Sequence, residues 1–157
     1  MALKLVRYPD PFLFVQTKPV AEFGQTLSSL LYNMRALMKE KKGIGLAANQ
    51  VSVDKQIFIM DLDSKEYNFI NPKILSVSNE TYDDVEGCLS FAGVAVNIKR
   101  AKSLTLQWQN ENGILQDRNF CDLAAKCIQH EIDHLNGITF LNYIGNTKKI
   151  MLLKKLK

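Results

Sequence analysis

The sequence predicts an α+β fold, and three observations carry that expectation. Strand-type patterns crowd the middle of the chain, between two stretches of helical periodicity. Helix and strand do not alternate, as a parallel βα array would require. Leu104, Leu106 and Trp108 alternate with polar residues ahead of a turn, which is the pattern of a hairpin.

In chain order, Pro9, Asp10 and Pro11 mark an early turn, and Lys18-Pro19 marks another. From Thr26, the apolar residues Leu27, Leu30, Leu31, Met34, Leu37 and Met38 recur at helical spacing. Thr26 is placed to cap this helix. Gly43 stops it after Lys41 and Lys42, whose charges suit a helix C-terminus. Gln56-Ile57-Phe58-Ile59-Met60 reads as a buried strand, and Asn68-Phe69-Ile70 as another, ended by Pro72. Asn110 to Gly113 forms the hairpin turn, and Ile114-Leu115 starts the return strand. Asp122 is a natural N-cap for the last strong helix, which carries Leu123, Cys127, Ile128 and Leu135 and closes at Asn136-Gly137. One domain is expected over residues 1–157, with a basic tail from residue 146 onward.

Composition excludes several function classes. With 46% apolar and 23% charged residues, the chain is ordinary for a soluble globular protein. Its net charge of +4 is spread along the sequence and makes no clustered stripe or nucleic-acid motif. No apolar run approaches the roughly 18 residues that span a bilayer. The first seven residues lack the apolar core of a secretory signal. Three cysteines without paired spacing do not build a disulfide framework, so a reduced, cytoplasmic setting is expected.

Both histidines of the chain fall in His130-Glu131-Ile132-Asp133-His134. On a helix, positions i and i+4 share a face, so both imidazoles can reach one metal ion. Glu131 lies where its carboxylate can sit beside that ion and handle protons. A pair of solvated helical histidines is the plain alternative. Two histidines leave a catalytic ion one protein ligand short. Nothing acidic and no third histidine follows Asp133, which weakens a zincin-type protease reading and moves the search upstream.

Glu86-Gly87-Cys88-Leu89-Ser90 offers a thiol beside a flexible glycine. By spacing alone, ligand and plain structural roles for Cys88 are evenly matched. Cys121 and Cys127, at or in an apolar helix, read as core filler. Gly43-Ile44-Gly45-Leu46-Ala47-Ala48-Asn49-Gln50 presents bare backbone that a substrate can approach, ending in an amide able to donate to a developing oxyanion. Taken singly, this segment reads as a helix end followed by a tight bend.

Together and in this order, the three segments resemble the peptide deformylases. These are metal hydrolases that remove the formyl group from the N-terminal formyl-methionine of new bacterial polypeptides. The family pattern is G-φ-G-φ-A-A-x-Q, then E-G-C-x-S, then H-E-x-x-H preceded by Gln, with φ apolar. Tyr8-Pro9-Asp10, Lys18-Pro19 and Ile70-Asn71-Pro72 extend the likeness over nearly the whole chain. No long insertion separates the first two motifs, as in the bacterial type 1 form.

The resemblance implies antiparallel β-sheets packed around a central metal-binding helix, forming a single catalytic domain. It implies Cys88, His130 and His134 as ligands of one divalent ion, with Fe(II) as the native metal and Zn(II), Ni(II) or Co(II) as alternatives. Glu131 then moves the proton of the attacking water, while Gln50 and the Leu89 N–H stabilise the oxyanion. Glu86, Arg100 and Asp133 become an ionic support for the ligands. Ile44 and Gly45 bind the peptide backbone, and Ile44, Leu123 and Cys127 line the methionine pocket. Lys126 and Asp84 stand where the family commonly has apolar residues. The expectation for Lys126 is a methylene stem along the pocket with its ammonium at the rim, facing Asp84. Phe91 to Val94 also departs from the common pattern. The implied partners are N-formyl-Met nascent peptides, without nucleic-acid or membrane contact, acted on by a monomer in a bacterial cytoplasm. Only 23 residues follow His134, fewer than in most bacterial members, so docking to the ribosome is in question. Shortened tails occur in phage-encoded members, and a viral source is one reading. Other metal amidases and a non-catalytic metal-binding module remain as alternatives.

Overall fold

Alternate residues of the strand Ile57–Leu62 enter different cores, and this sets the layering. Ile57 and Ile59 pack with Leu27, Leu31 and Met34 of the helix Gln25–Glu40. Phe58 and Met60 pack with Ala125, Cys127 and Ile128 of the helix Asp122–Leu135. Strand side chains point to opposite faces in turn, so a strand apolar and buried from Ile57 to Met60 must be covered on both sides. The computed structural model, which describes residues 2–156, therefore has an antiparallel sheet with a helix on each face.

The elements in chain order are α1 (Gln25–Glu40), β1 (Gly45–Ala47), β2 (Ile57–Leu62), β3 (Lys65–Val77), β4 (Thr81–Gly87) and β5 (Ala95–Ala101). They continue with β6 (Ser103–Gln109), β7 (Leu115–Cys121), α2 (Asp122–Leu135) and α3 (Asn146–Leu153). The main sheet runs β1-β2-β3-β6-β7, leaving β1 as an edge, and β4 and β5 form a separate two-stranded sheet. A third core holds that hairpin: Val96 and Ile98 of β5 meet Phe91, Phe140 and Leu141. Leu152, Leu153 and Leu156 of the C-terminal segment pack against the same core, while Ile150 and Met151 are exposed. No described helix is long and apolar enough to cross a membrane.

The α+β class and the hairpin agree with the sequence, and β6 and β7 pair in register from Ser103↔Cys121 to Gln109↔Leu115. Several local expectations need correction. Gly24 holds the cap position of α1, so Thr26 lies inside the first turn. The left-handed residue after α1 is Lys42 (φ 60°), and the Gly43 N–H closes onto the Met38 carbonyl at 2.9 Å. Lys18-Pro19 is not a turn; the Lys18 carbonyl accepts from the Gln56 N–H at 2.8 Å. Pro72 does not end its strand. The β3–β6 register shifts between Ile70 and Lys73, and Pro72 sits in that irregularity, where a missing N–H breaks no ladder bond. Cys121 rather than Asp122 is the N-cap residue of α2, and no side chain bonds the cap. The β4–β5 sheet was not expected: β4 hides its pattern because Glu86 is its one buried residue, whereas β5 alternates, with Val96 and Ile98 buried, and was passed over.

Candidate metal centre and active site

His130 and His134 lie one turn apart on α2, at the i and i+4 positions of one face. Cys88 follows β4 in a turn closed by the Phe91 N–H on the Cys88 carbonyl at 3.0 Å. The Phe91 side chain, fully buried, anchors that turn. Cys88 Sγ and His134 Nε2 are 3.2 Å apart, as are His134 Nε2 and His130 Nε2. One donor atom from each of the three residues falls within 4.8 Å of the others. Tetrahedral bonds of about 2.0–2.3 Å would space ligand atoms roughly 3.3–3.8 Å apart, so this set is close to a coordination sphere. The chemistry agrees: His130 Nδ1 is taken by Glu86 Oε1 at 2.9 Å, which leaves the Nε2 lone pair for an ion. A thiol with two imidazoles suits one divalent transition-metal ion.

The supporting carboxylate is itself held. Arg100 grips Glu86 with two bonds, at 2.7 and 2.9 Å, and reaches Asp133 Oδ2 at 2.7 Å. Burial works to raise the Glu86 pKa, but the bonds from Arg100 and His130 overcome it and hold the carboxyl down at about 2. Tyr143 completes the group: its hydroxyl donates to Asp133 Oδ2 at 2.6 Å, and the Arg100 guanidinium stacks 4.9 Å from its ring. Burial, followed by that bond, pushes the Tyr143 phenol up to about 12. Burial, followed by the neighbouring His130, keeps His134 neutral, the form in which an imidazole ligates an ion.

Beside the triad, a cavity of about 460 Å³ is lined by Ile44, Gly45, Gln50, Leu89, Glu131 and residues of β4 and α2. Glu131 is 4% exposed, and burial lifts its carboxyl to about 7. Its Oε1 has no hydrogen-bond partner within the protein. Gly45 gives it room: a Cβ there would lie 2.6 Å from Glu131 Oε2 and 2.8 Å from Cys127 Sγ. The Ile44 carbonyl accepts from the Asp61 N–H of β2 at 2.9 Å. By antiparallel alternation, the N–H and carbonyl of Gly45 then face away from β2, on the free edge of β1. Gln50 is buried. Its Oε1 accepts from the Ala47 N–H at 3.0 Å, and its Nε2 donates to Ser90 Oγ at 3.0 Å with Cys88 Sγ at 3.7 Å.

The residues named in the sequence as metal ligands, proton carrier, oxyanion donors, pocket lining and ionic support are thus gathered around one cavity or directly behind it. Leu123, Lys126 and Cys127 line it from α2. Lys126 Nζ donates to Asp84 Oδ2 at 2.7 Å and to the Val85 carbonyl at 2.9 Å, and this bond holds the Asp84 carboxyl below its ordinary range. One cysteine reading changes: Cys121 is exposed rather than core filler, whereas Cys127 is both core and cavity wall, as expected. Four contributors were not foreseen. Ser90 orients Gln50, and the Asn49 amide donates to the His134 carbonyl. Gln129 bonds the Ala101 backbone in both directions, and Tyr143 steadies Asp133. Ser90 and Gln129 are specified positions of the motifs and were legible there; Asn49 fills an unspecified position of the first motif, and nothing in the sequence marked Tyr143.

A sequence model of the family described as polypeptide deformylase matches residues 2–150. The peptide deformylase of Thermotoga maritima is 38% identical over 149 residues, covering 95% of this chain and 91% of that protein. The peptide deformylase of Hahella chejuensis is 37% identical over 158 residues, covering 99% and 94%. Among solved structures, peptide deformylase from Ehrlichia chaffeensis in complex with actinonin superposes with a TM-score of 0.96 at 34% identity, covering 99% of this chain and 96% of that one. The Thermotoga maritima structure gives 0.90 at 35% identity, covering 92% and 99%. With the fold, the converged thiol and imidazoles and these relatives in agreement, the chain belongs to the polypeptide deformylase family.

Proposed function

We propose that this chain hydrolyses the N-formyl group from formyl-methionine at the start of nascent polypeptides, releasing formate and a free amine. The observation that carries this reading is Glu131, buried with Oε1 free of any partner among the described residues, in a cavity beside the Cys88–His130–His134 triad. A divalent ion held by Cys88, His130 and His134 would supply Lewis acidity, lowering the pKa of a water and polarising the formyl oxygen.

Glu131 is placed for both proton transfers, because its buried carboxylate borders the cavity with Oε1 free of any described protein partner. It takes the proton as the water oxygen attacks the formyl carbon. It then delivers the proton to the nitrogen as the C–N bond breaks. Gln50, its amide fixed by Ala47 and Ser90, presents Nε2 toward the developing oxyanion. The Leu89 N–H, next to Cys88 in the same cavity wall, is the second donor. The peptide adds as a strand along the free edge of β1 at Ile44 and Gly45. Its first side chain lies against Ile44, Leu123, Lys126 and Cys127. Glu86, Arg100 and Asp133 hold His130 and its ring tautomer in place.

Fe(II) is the metal of choice, with Zn(II), Ni(II) or Co(II) able to take its place on the same ligands. Residues 1–157 act as one catalytic domain, a monomer working in the cytoplasm. The basic segment from residue 146 is the surface available for any approach to the ribosome. The experiment is formate release from formyl-Met-Ala-Ser against acetyl-Met-Ala-Ser, on anaerobically purified protein with its metal counted. Activity on the formyl peptide alone is expected, and Glu131→Gln should lose about 10²–10⁴ of it while keeping the metal. No formate with Fe(II) or Ni(II) bound refutes the reading. An unchanged Glu131→Gln enzyme refutes the mechanism.

A further inference from the structure

We propose that Lys126, held by Asp84, is a specificity-determining residue that forms the end wall of the pocket for the substrate's first side chain. The inference rests on the deformylase reading above and extends it to which side chains the pocket admits. Leu123, Lys126, Cys127 and His130 follow at helical spacing on α2, and all four line the cavity. Lys126, one turn before His130, reaches across from α2 to β4. Its ammonium is fixed there at 2.7 Å from Asp84 Oδ2 and 2.9 Å from the Val85 carbonyl.

The edge of β4 is closed by the same contacts. The Val85 N–H donates to Asp84 Oδ1 at 2.8 Å and the Val85 carbonyl accepts from Lys126, so the bonds that an added strand would seek at Val85 are taken. A lysine ordinarily projects into water, but this side chain is 13% exposed. With its head pinned on the strand, the stem spans from helix to strand beside the cavity. The wall is apolar along its length and carries a matched charge at its end.

Such a wall selects in two ways. The tie holds α2 and β4 at one separation, so a side chain entering between Leu123 and Cys127 stops at the stem. It also rejects charge. A carboxylate on the substrate would have to compete with Asp84 for one ammonium, whereas a neutral thioether displaces nothing.

The test compares kcat/KM for formyl-Met-Ala-Ser and formyl-Glu-Ala-Ser in the metal-loaded wild type, Asp84→Asn and Lys126→Met. Asp84→Asn leaves the ammonium without its anion. The glutamate peptide should then gain on the methionine peptide by about tenfold, the size of one partly buried ionic contact, mainly through KM. Lys126→Met removes the cation and should not raise that ratio. A rise in both variants, as a loosened pocket would give, overturns the proposal, and so does a rise in neither. Labelling with acetic anhydride, read by mass spectrometry, needs no turnover. Lys126 should acetylate far more slowly than the exposed Lys148, Lys154 and Lys155, and faster in Asp84→Asn. Labelling of Lys126 at the rate of those lysines overturns the tie even in an active enzyme. A shielded Lys126 in a protein that cleaves no formyl peptide supports the tie and defeats the deformylase reading instead.

Discussion

Replacing Gly45 with alanine should damage the site through a single methyl group. The added carbon would lie 2.6 Å from Glu131 Oε2 and 2.8 Å from Cys127 Sγ. Both are roughly an ångström inside the 3.5–4.0 Å at which non-bonded heavy atoms attract. Both neighbours are packed, Glu131 at 4% and Cys127 at 6% exposed, so the direction left open to them is the cavity they border. Overpacking of this kind costs about 1–3 kcal/mol, and for a domain of this size each kcal/mol lowers Tm by about 2–4 °C. The functional cost is expected to be larger. Displacing the Glu131 carboxylate by about an ångström should reduce kcat/KM by roughly 10²-fold.

The assay is formate release with metal content measured on the same sample, alongside thermal unfolding. Adding Cys127→Ala removes the sulfur contact but leaves the carboxylate contact. The double variant should therefore regain part of the lost Tm and little of the lost activity. Wild-type kcat/KM and Tm in Gly45→Ala would refute the argument, because they would mean that Glu131 is not held by its packing. Recovery of full activity in the double variant would refute it differently, by showing that the sulfur and not the carboxylate was displaced.

Arg100→Leu should cost about 3–5 kcal/mol in denaturant unfolding, since it strands Glu86 and Asp133 as unpaired buried or half-buried carboxylates. The same variant should bind its metal about 10–100-fold more weakly, measured by competition with a chelator, because Glu86, still bonded to His130, loses the two Arg100 bonds that hold it in place. Tyr143 should titrate near 12 in an absorbance titration, with Tyr143→Phe removing that step. Folding raises this phenol above its ordinary value of 10.0, so the associated stability is complete below that pH and is lost as pH rises through about 12. Over that window the wild type should lose more stability than Tyr143→Phe. Stripping the metal with a chelator should abolish formate release and lower Tm, and returning a divalent ion should restore both.

The legible part of the fold was the part written in apolar periodicity. Leu27 to Met38 gave α1 and Leu104 to Trp108 gave the hairpin, because burial of one face imposes a fixed repeat. β4 was not legible, since Thr81 to Gly87 buries a glutamate and exposes a valine, the inverse of what a core-facing strand does. Asp122 reads as a cap on composition, but the chain already enters α2 through Cys121 in extended backbone. In the site, His130 and His134 were legible because helical spacing alone puts two imidazoles on one face. Cys88 lies 42 residues earlier in the numbering and was joined to them by motif order rather than by spacing. Tyr143 was illegible because its role depends on Arg100 and Asp133, each supplied by a different element.

The hairpin β4–β5 shares no ladder with the main sheet, so something else must hold Cys88 at the distance the two histidines require. One stripe of α2 provides it. Lys126, Gln129, His130 and Asp133 recur at helical spacing, and each bonds the hairpin: to Asp84, to the Ala101 backbone, to Glu86 and to Arg100. The opposite stripe, Ala125, Ile128 and Leu135, is buried in the main sheet's core. By composition the first stripe looks like a solvent-facing surface, and here it is a dock. Apolar contact resists separation but tolerates sliding, whereas directional bonds to fixed acceptors also resist rotation of the helix about its axis. A metal site with ligands on both bodies needs that second kind of restraint, because a slip of one ångström at Cys88 would open its 3.2 Å approach to His134. Lys126 makes the first bond of this dock and also lines the cavity, so if that cavity takes the substrate as proposed, one side chain would both align the ligand-bearing bodies and limit what enters between them.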